Sequence, residues 1–215
     1  MDGTATAIGI ENLAALAALA FAASFTPGPN NALLSASGAR FGLRATLPHA
    51  RGVALGFPLM VFCVALGLGQ AFQQSEILRE VLRWGGAALM AWLAWKIASA
   101  RPAPAQVSAE PDGRRPWSFL QAAAFQWVNP KAWVMAVGIA APFVEGASPV
   151  RHALVAAGVF ALSGLLSTHA WAAFGAVMGR FLGQGLRLRL FNLAMAGLIL
   201  LGVAALLVED LSVPA

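Results

Sequence analysis

Charge divides this chain into six apolar stretches, at about 13–39, 52–72, 81–100, 118–144, 153–179 and 190–208, and gathers nearly all acidic and basic residues into the connections between them. Each stretch offers the roughly 20 residues that an α-helix needs to cross a bilayer core. Only 11% of the residues are charged and 59% are hydrophobic, against a charged fraction of about 25% in soluble domains. A soluble domain is thereby excluded, and at 215 residues the spans and their short loops use up the chain. The expected fold is an all-α integral membrane protein, a single transmembrane domain over residues 1–215. The net charge of +5 finds no basic face outside the membrane on which a phosphate backbone could lie, so no nucleic-acid partner is expected and membrane lipid is the surrounding medium. Cys63 stands alone in an apolar run and reads as a small core side chain, because neither a disulfide nor a thiolate metal site can be built from it. Residues 13–24 are apolar and small, as in a secretory leader, but the segment before them carries Asp2 and Glu11 and no base. That run is read as the start of the first span.

The connections alternate in charge. Arg40, Arg44 and Arg51 follow the first span, Lys96, Arg101, Arg114 and Arg115 the third, and Arg180, Arg187 and Arg189 the fifth. The second connection balances Arg79 and Arg83 with Glu76 and Glu80, the fourth balances Arg151 with Glu145, and the termini carry only Asp2, Glu11, Glu209 and Asp210. Cytoplasmic loops are enriched in bases. The odd-numbered connections are therefore expected in the cytosol and both termini outside. The longest connection, 101–117, contains Pro102, Pro104, Pro111 and Pro116 with mixed charge and cannot be a membrane helix. It separates a first repeat, about 8–100, from a second, 118–208.

Spans one and four are interrupted near their middles, by Ser24-Phe25-Thr26-Pro27-Gly28-Pro29-Asn30-Asn31 and by Gln126-Trp127-Val128-Asn129-Pro130-Lys131-Ala132. Proline removes a backbone donor and clashes with the preceding turn, so the helix must unwind at each place. Unwound backbone at membrane depth survives only against protein or a wet cavity. The two breaks lie about 100 residues apart, and the same offset brings Arg51 to Arg151 and the third span to the sixth. Three spans per half is an odd number, so the halves must be inverted across the membrane, the arrangement of many secondary transporters that bind substrate at the midplane.

Pro29 and Pro130 suit the first turn of the half-helix that follows each break. Two helix N-termini, with unpaired donors and positive dipole ends, would then converge at mid-depth, where Lys131 adds a full charge. An anionic group is expected there. The half-helices that end at the breaks leave carbonyls near Thr26 and Val128, joined by the amide oxygens of Asn30, Asn31, Gln126 and Asn129, which can accept from an ammonium. Together these poles suit a zwitterion such as an amino acid. The structural alternative is that the prolines are kinks repaired by asparagine. Two polar proline motifs in equivalent places, one with a lysine at a depth where charge costs several kcal/mol, favour a site.

Phe25-Thr26-Pro27-Gly28-Pro29-Asn30-Asn31 and Asn129-Pro130-Lys131-Ala132-Trp133 resemble the lysine-exporter (LysE/RhtB) family of bacterial amino-acid efflux proteins. The resemblance runs over nearly the whole chain, with the small-residue motif from Gly38 to Gly56, Gly85-Gly86, Trp171 and Gly179-Arg180. It implies a six-helix inner-membrane exporter of amino acids or related small metabolites, driven by the proton gradient and often a homodimer, with the two proline motifs at the substrate. Many members have an aspartate early in the second span and another in the fifth. The matching places here are Phe57 and the neighbourhood of Thr168, and no acid lies inside any expected span. A cation would want a negative partner, so a neutral amino acid is expected in preference to lysine or arginine.

Without carboxylates, His169 is the candidate for proton coupling, since histidine is the side chain best suited to take up and release a proton under physiological conditions. A helix-to-helix hydrogen bond is its structural alternative. His49 and His152 fall at opposite membrane faces, which leaves no metal site, and no cofactor is expected. Gly52 with Gly56, and Gly175 with Gly179, permit close helix contact within one chain or between two. Trp84, Trp95 and Trp117 fit an interfacial belt, whereas Trp127 and Trp133 flank the second break, as cavity wall or as core. No enzyme motif is found: there is no Gly-x-Ser-x-Gly elbow, no His-Glu-x-x-His and no phosphate-binding loop. An integral membrane enzyme, a non-transporting scaffold, or another small metabolite or ion as substrate remain the alternatives.

Overall fold

The computed structural model describes residues 10–100, 115–143, 148–183 and 185–208, and every regular element among them is helical. Most of the connection expected at 101–117 lies outside the described residues. Helices α1 (Ile10–Phe25) and α2 (Pro29–Phe41) share the first apolar stretch, and α6 (Phe119–Val128) and α7 (Pro130–Phe143) share the fourth. The second stretch is α3 (Leu43–Cys63), a π-helical turn (Val64–Leu68) and α4 (Gly69–Gln74). The others are α5 (Glu76–Ala98), α8 (Pro149–Leu182) and α9 (Leu186–Val208). Three of these, Leu43–Gln74, Pro149–Leu182 and Leu186–Val208, are long and apolar enough to cross a membrane uninterrupted.

Local chemistry sets the helix ends. Gly42, at φ +80°, turns the chain from α2 directly into α3, a conformation that costs glycine nothing. The Ser75 hydroxyl accepts from Leu78 N at 3.2 Å to start α5. At α6 the Ser118 hydroxyl accepts from Gln121 N at 3.3 Å while Gln121 Oε1 accepts from Ser118 N at 3.0 Å, a reciprocal capping box. The second helix starts at Leu43, well before the expected 52, because Arg44 and Arg51 lie two turns apart on an exposed face. Thr46, His49, Ala50 and Val53 are buried on the other face. Charge did not mark the end of the helix.

Small residues let the helices cross closely. A methyl on Gly175 would run into the backbone of Ser35, one on Gly179 into Ala39, and one on Gly38 into Ala172, so α2 and α8 meet almost backbone to backbone. Gly52 and Gly56 press α3 against Phe119 and Ala123 of α6 in the same way. The glycine pairs are thus used within the chain. Two apolar clusters flank these crossings: Leu16, Met60, Phe72, Trp133 and Phe160 tie α1, α3, α4, α7 and α8, and Leu33, Met90, Phe125 and Ile199 tie α2, α5, α6 and α9. The outer surface is apolar as well, with Leu162 and Leu201 each 68% exposed. Arg83 holds Glu80 at 3.5 Å and donates to Leu207 O at 2.5 Å, placing a cation at the carbonyl end of α9.

Candidate functional site

Both helix breaks form where the proline motifs stand. Gly28 is extended at φ −169° and Pro29 opens α2, with no side chain capping that N-terminus. Asn129, at φ −89° and ψ 107°, ends α6, and Pro130 opens α7. Each proline occupies a first-turn position whose amide would have no helical acceptor. Each is also backed by a glycine of another helix. A Cβ on Gly86 of α5 would fall 2.5 Å from Pro130 Cδ, and one on Gly202 of α9 would fall 3.2 Å from Pro29 Cγ.

Side chains join the breaks to each other. Asn30 Nδ2 donates to Gln126 Oε1 at 2.9 Å, and Gln126 Nε2 donates back to Asn30 Oδ1 at 3.4 Å and to Ala122 O at 2.9 Å. Lys131 reaches across from α7, so that a Cβ placed on Gly28 would stand 3.0 Å from its Nζ. A cavity of about 80 Å³, measured as the space open to centres of water-sized spheres, lies at this junction. On that measure one water takes roughly 10–15 Å³, so the space holds several waters or one compact solute.

Thr26, Gly28, Pro29, Asn30, Asn31, Gln126, Asn129 and Lys131 all line the cavity. Pro27 and Pro130 are not in its wall. Neither is His169, whose Nδ1 lies 2.7 Å from Leu165 O within α8, although its neighbours Ser167 and Thr168 are. Trp127 and Trp133 belong to the core instead. Trp133 is buried, stacks on Phe72 at 5.0 Å and donates from Nε1 to Trp127 O at 2.9 Å. Trp117 packs against His49 and Phe125, while Trp84 and Trp95 are exposed as an interfacial belt requires.

Most acceptors expected at the end of α1 are already engaged. Asn31 Nδ2 donates to Ser24 O at 3.0 Å and Thr26 O at 2.9 Å, and the Ser167 hydroxyl donates to Ser24 O at 2.6 Å. The amide oxygens of Asn30 and Gln126 face each other's nitrogens. Asn129 differs: it is 3% exposed, lines the cavity, and its Oδ1 has no hydrogen-bond partner among the described residues. A buried acceptor in that condition costs free energy until a donor arrives.

Val53, Phe57, Met135 and Phe160 also line the cavity, from three helices; of these the sequence had singled out only Phe57, as a place without the aspartate. No carboxylate lines the cavity, and the described residues contain no group of three that could hold a metal.

The family model described as LysE type translocator matches residues 21–211, nearly the whole chain and both breaks. The cysteine/O-acetylserine efflux protein of Klebsiella pneumoniae subsp. pneumoniae is 33% identical over 189 residues, 86% of this chain and 92% of that relative. Those of Escherichia coli strain K12 (31% over 163 residues, 75% and 80% of the two chains) and Salmonella typhi (30% over 159 residues, 73% and 78%) are similar over shorter stretches. No solved structure matches. With its apolar helices, its paired breaks and this match along almost all its length, the chain belongs to the LysE type translocator family, whose members are membrane transport proteins and not enzymes.

Proposed function

We propose that this protein exports neutral amino acids across the bacterial inner membrane by secondary-active transport. Its six spans form two inverted three-helix repeats, both termini lie outside, and the substrate binds where the repeats meet. The observation that carries this reading is the convergence of the two breaks on one cavity, joined by the Asn30–Gln126 amide pair and bordered by Lys131. The N-termini of α2 and α7 with Lys131 attract a carboxylate, and Asn129 Oδ1 accepts from the ammonium. The lack of a carboxylate in the cavity wall disfavours a second positive charge on the substrate. Cysteine and O-acetylserine, which name the efflux relatives, are both zwitterions without net charge.

The packing supports the inverted repeat. In it α1–α2 correspond to α6–α7, α3 to α8 and α5 to α9. Accordingly α1 packs on α8 as α6 packs on α3, and α3 pairs with α8 as α5 pairs with α9. Gly202 behind Pro29 answers Gly86 behind Pro130. His169 sits one residue beyond the cavity lining and is assigned to proton coupling; undiminished pH-driven export by His169→Gln would remove that role. Lipid surrounds the bundle, and a homodimer is its proposed assembly, to be read from the mass of the detergent-solubilised protein. The function is tested by loading cells with dipeptides of neutral amino acids and following external amino acids with and without the chain. Faster appearance of at least one neutral amino acid is expected, and no difference for any of them overturns the proposal.

A further inference from the structure

Besides the polar residues of the breaks, the cavity is lined by Phe57 of α3, Met135 of α7 and Phe160 of α8, which the proposed function does not use. Phe160 is 1% exposed and meets the Phe57 ring edge-on, with centroids 5.5 Å apart at 71°. Beside this pair α3 and α8 are in ordinary contact through Ala54 and Gly164, which also line the cavity: a Cβ on Gly164 would lie 3.4 Å from Ala54 Cα.

We infer that Phe57, Met135 and Phe160 form the subsite for the substrate's side chain, and that Phe57 sets its upper size. This assignment rests on the amino-acid reading of the polar side. With carboxylate and ammonium held at the breaks, the Cα of a bound amino acid faces the aromatic pair, and its side chain enters the space that Phe57 bounds. The cavity of about 80 Å³ suits an amino acid with a small side chain. Small, uncharged side chains such as a hydroxymethyl or a thiol-bearing methylene fit, and branched or aromatic ones meet the Phe57 ring. A charged side chain would lose its water against this wall with no partner in return.

The test is counterflow in liposomes with the purified full chain, using labelled serine or cysteine and unlabelled serine, leucine and phenylalanine as competitors. In wild type, serine competes and leucine and phenylalanine do not. Phe57→Ala is expected to raise competition by leucine relative to serine about tenfold or more, the scale on which an apolar pocket discriminates methylenes. Met135→Ala opens the same wall from another helix and is expected to shift the range in the same direction, so the assignment stays testable if Phe57→Ala does not insert. An unchanged size range in the inserted variants, with small substrates still carried, overturns the side-chain subsite and leaves the amino-acid site standing. Absence of amino-acid counterflow in wild type overturns both.

Discussion

Asn129 separates binding from stability more cleanly than any other residue of the site. Its Oδ1 is buried in the cavity wall and has no partner to lose among the described residues. A hydrogen bond from an ammonium to that oxygen is worth about 1.5–3 kcal/mol, which corresponds to roughly tenfold or more in affinity. Asn129→Leu is therefore expected to raise the half-saturating concentration of substrate about tenfold while melting in detergent close to wild type. A large fall in melting temperature with unchanged affinity would show that the oxygen serves the fold. Proline, glycine and asparagine in a span are legible residue by residue, since each breaks a rule of helices in lipid. Of the ten residues named at the two breaks, eight line the cavity. What they bond to was not legible: Asn31 donates to the Thr26 carbonyl, which the sequence reading offers to a substrate, because the partner of an amide depends on the path of the unwound chain. Met135 and Phe160 carried no mark, being apolar residues among apolar residues, and Phe57 was marked only as a place without the aspartate of many family members.

Helices meet through small residues here, and the third span makes the point with adjacent glycines. A Cβ on Gly86 would stand 2.5 Å from Pro130 Cδ, 2.6 Å from Pro130 Cγ and 3.0 Å from Val128 O, whereas nothing lies within 4 Å of one on Gly85. Gly86→Ala must push α5 away from the second break, at a cost of about 1–3 kcal/mol for overpacking. Gly85→Ala is expected to be neutral or slightly stabilising, as alanine restrains the helix better. Melting temperatures of the two variants in one detergent check this, and equal values would mean that α5 does not support the break. The helices themselves were largely legible, because apolar runs and prolines state where they lie and where they fail. The start of α3 was not, since Arg44 and Arg51 occupy an exposed helix face, and which glycines serve packing within the chain needed the crossings in three dimensions.

At the scale of the molecule, the sign of the charges and the odd number of spans per half fix the proposed topology. A reporter fused after Ala215 is expected to be active only outside the cytosol, and cytosolic activity would refute the orientation. The proposed inverted repeat rests, in the sequence, on the offset of two proline motifs. That Gly202 stands behind Pro29 and Gly86 behind Pro130 was not legible, because a contact between spans leaves no local pattern. The central claim is that both breaks build one amino-acid site around Lys131. Its most direct test is counterflow of labelled serine in liposomes by wild type and by Lys131→Gln at equal, verified insertion. Wild type should show saturable counterflow and Lys131→Gln a half-saturating concentration raised about tenfold or more, as removing a charged partner of a carboxylate requires. Equal affinity in the two proteins would contradict the site.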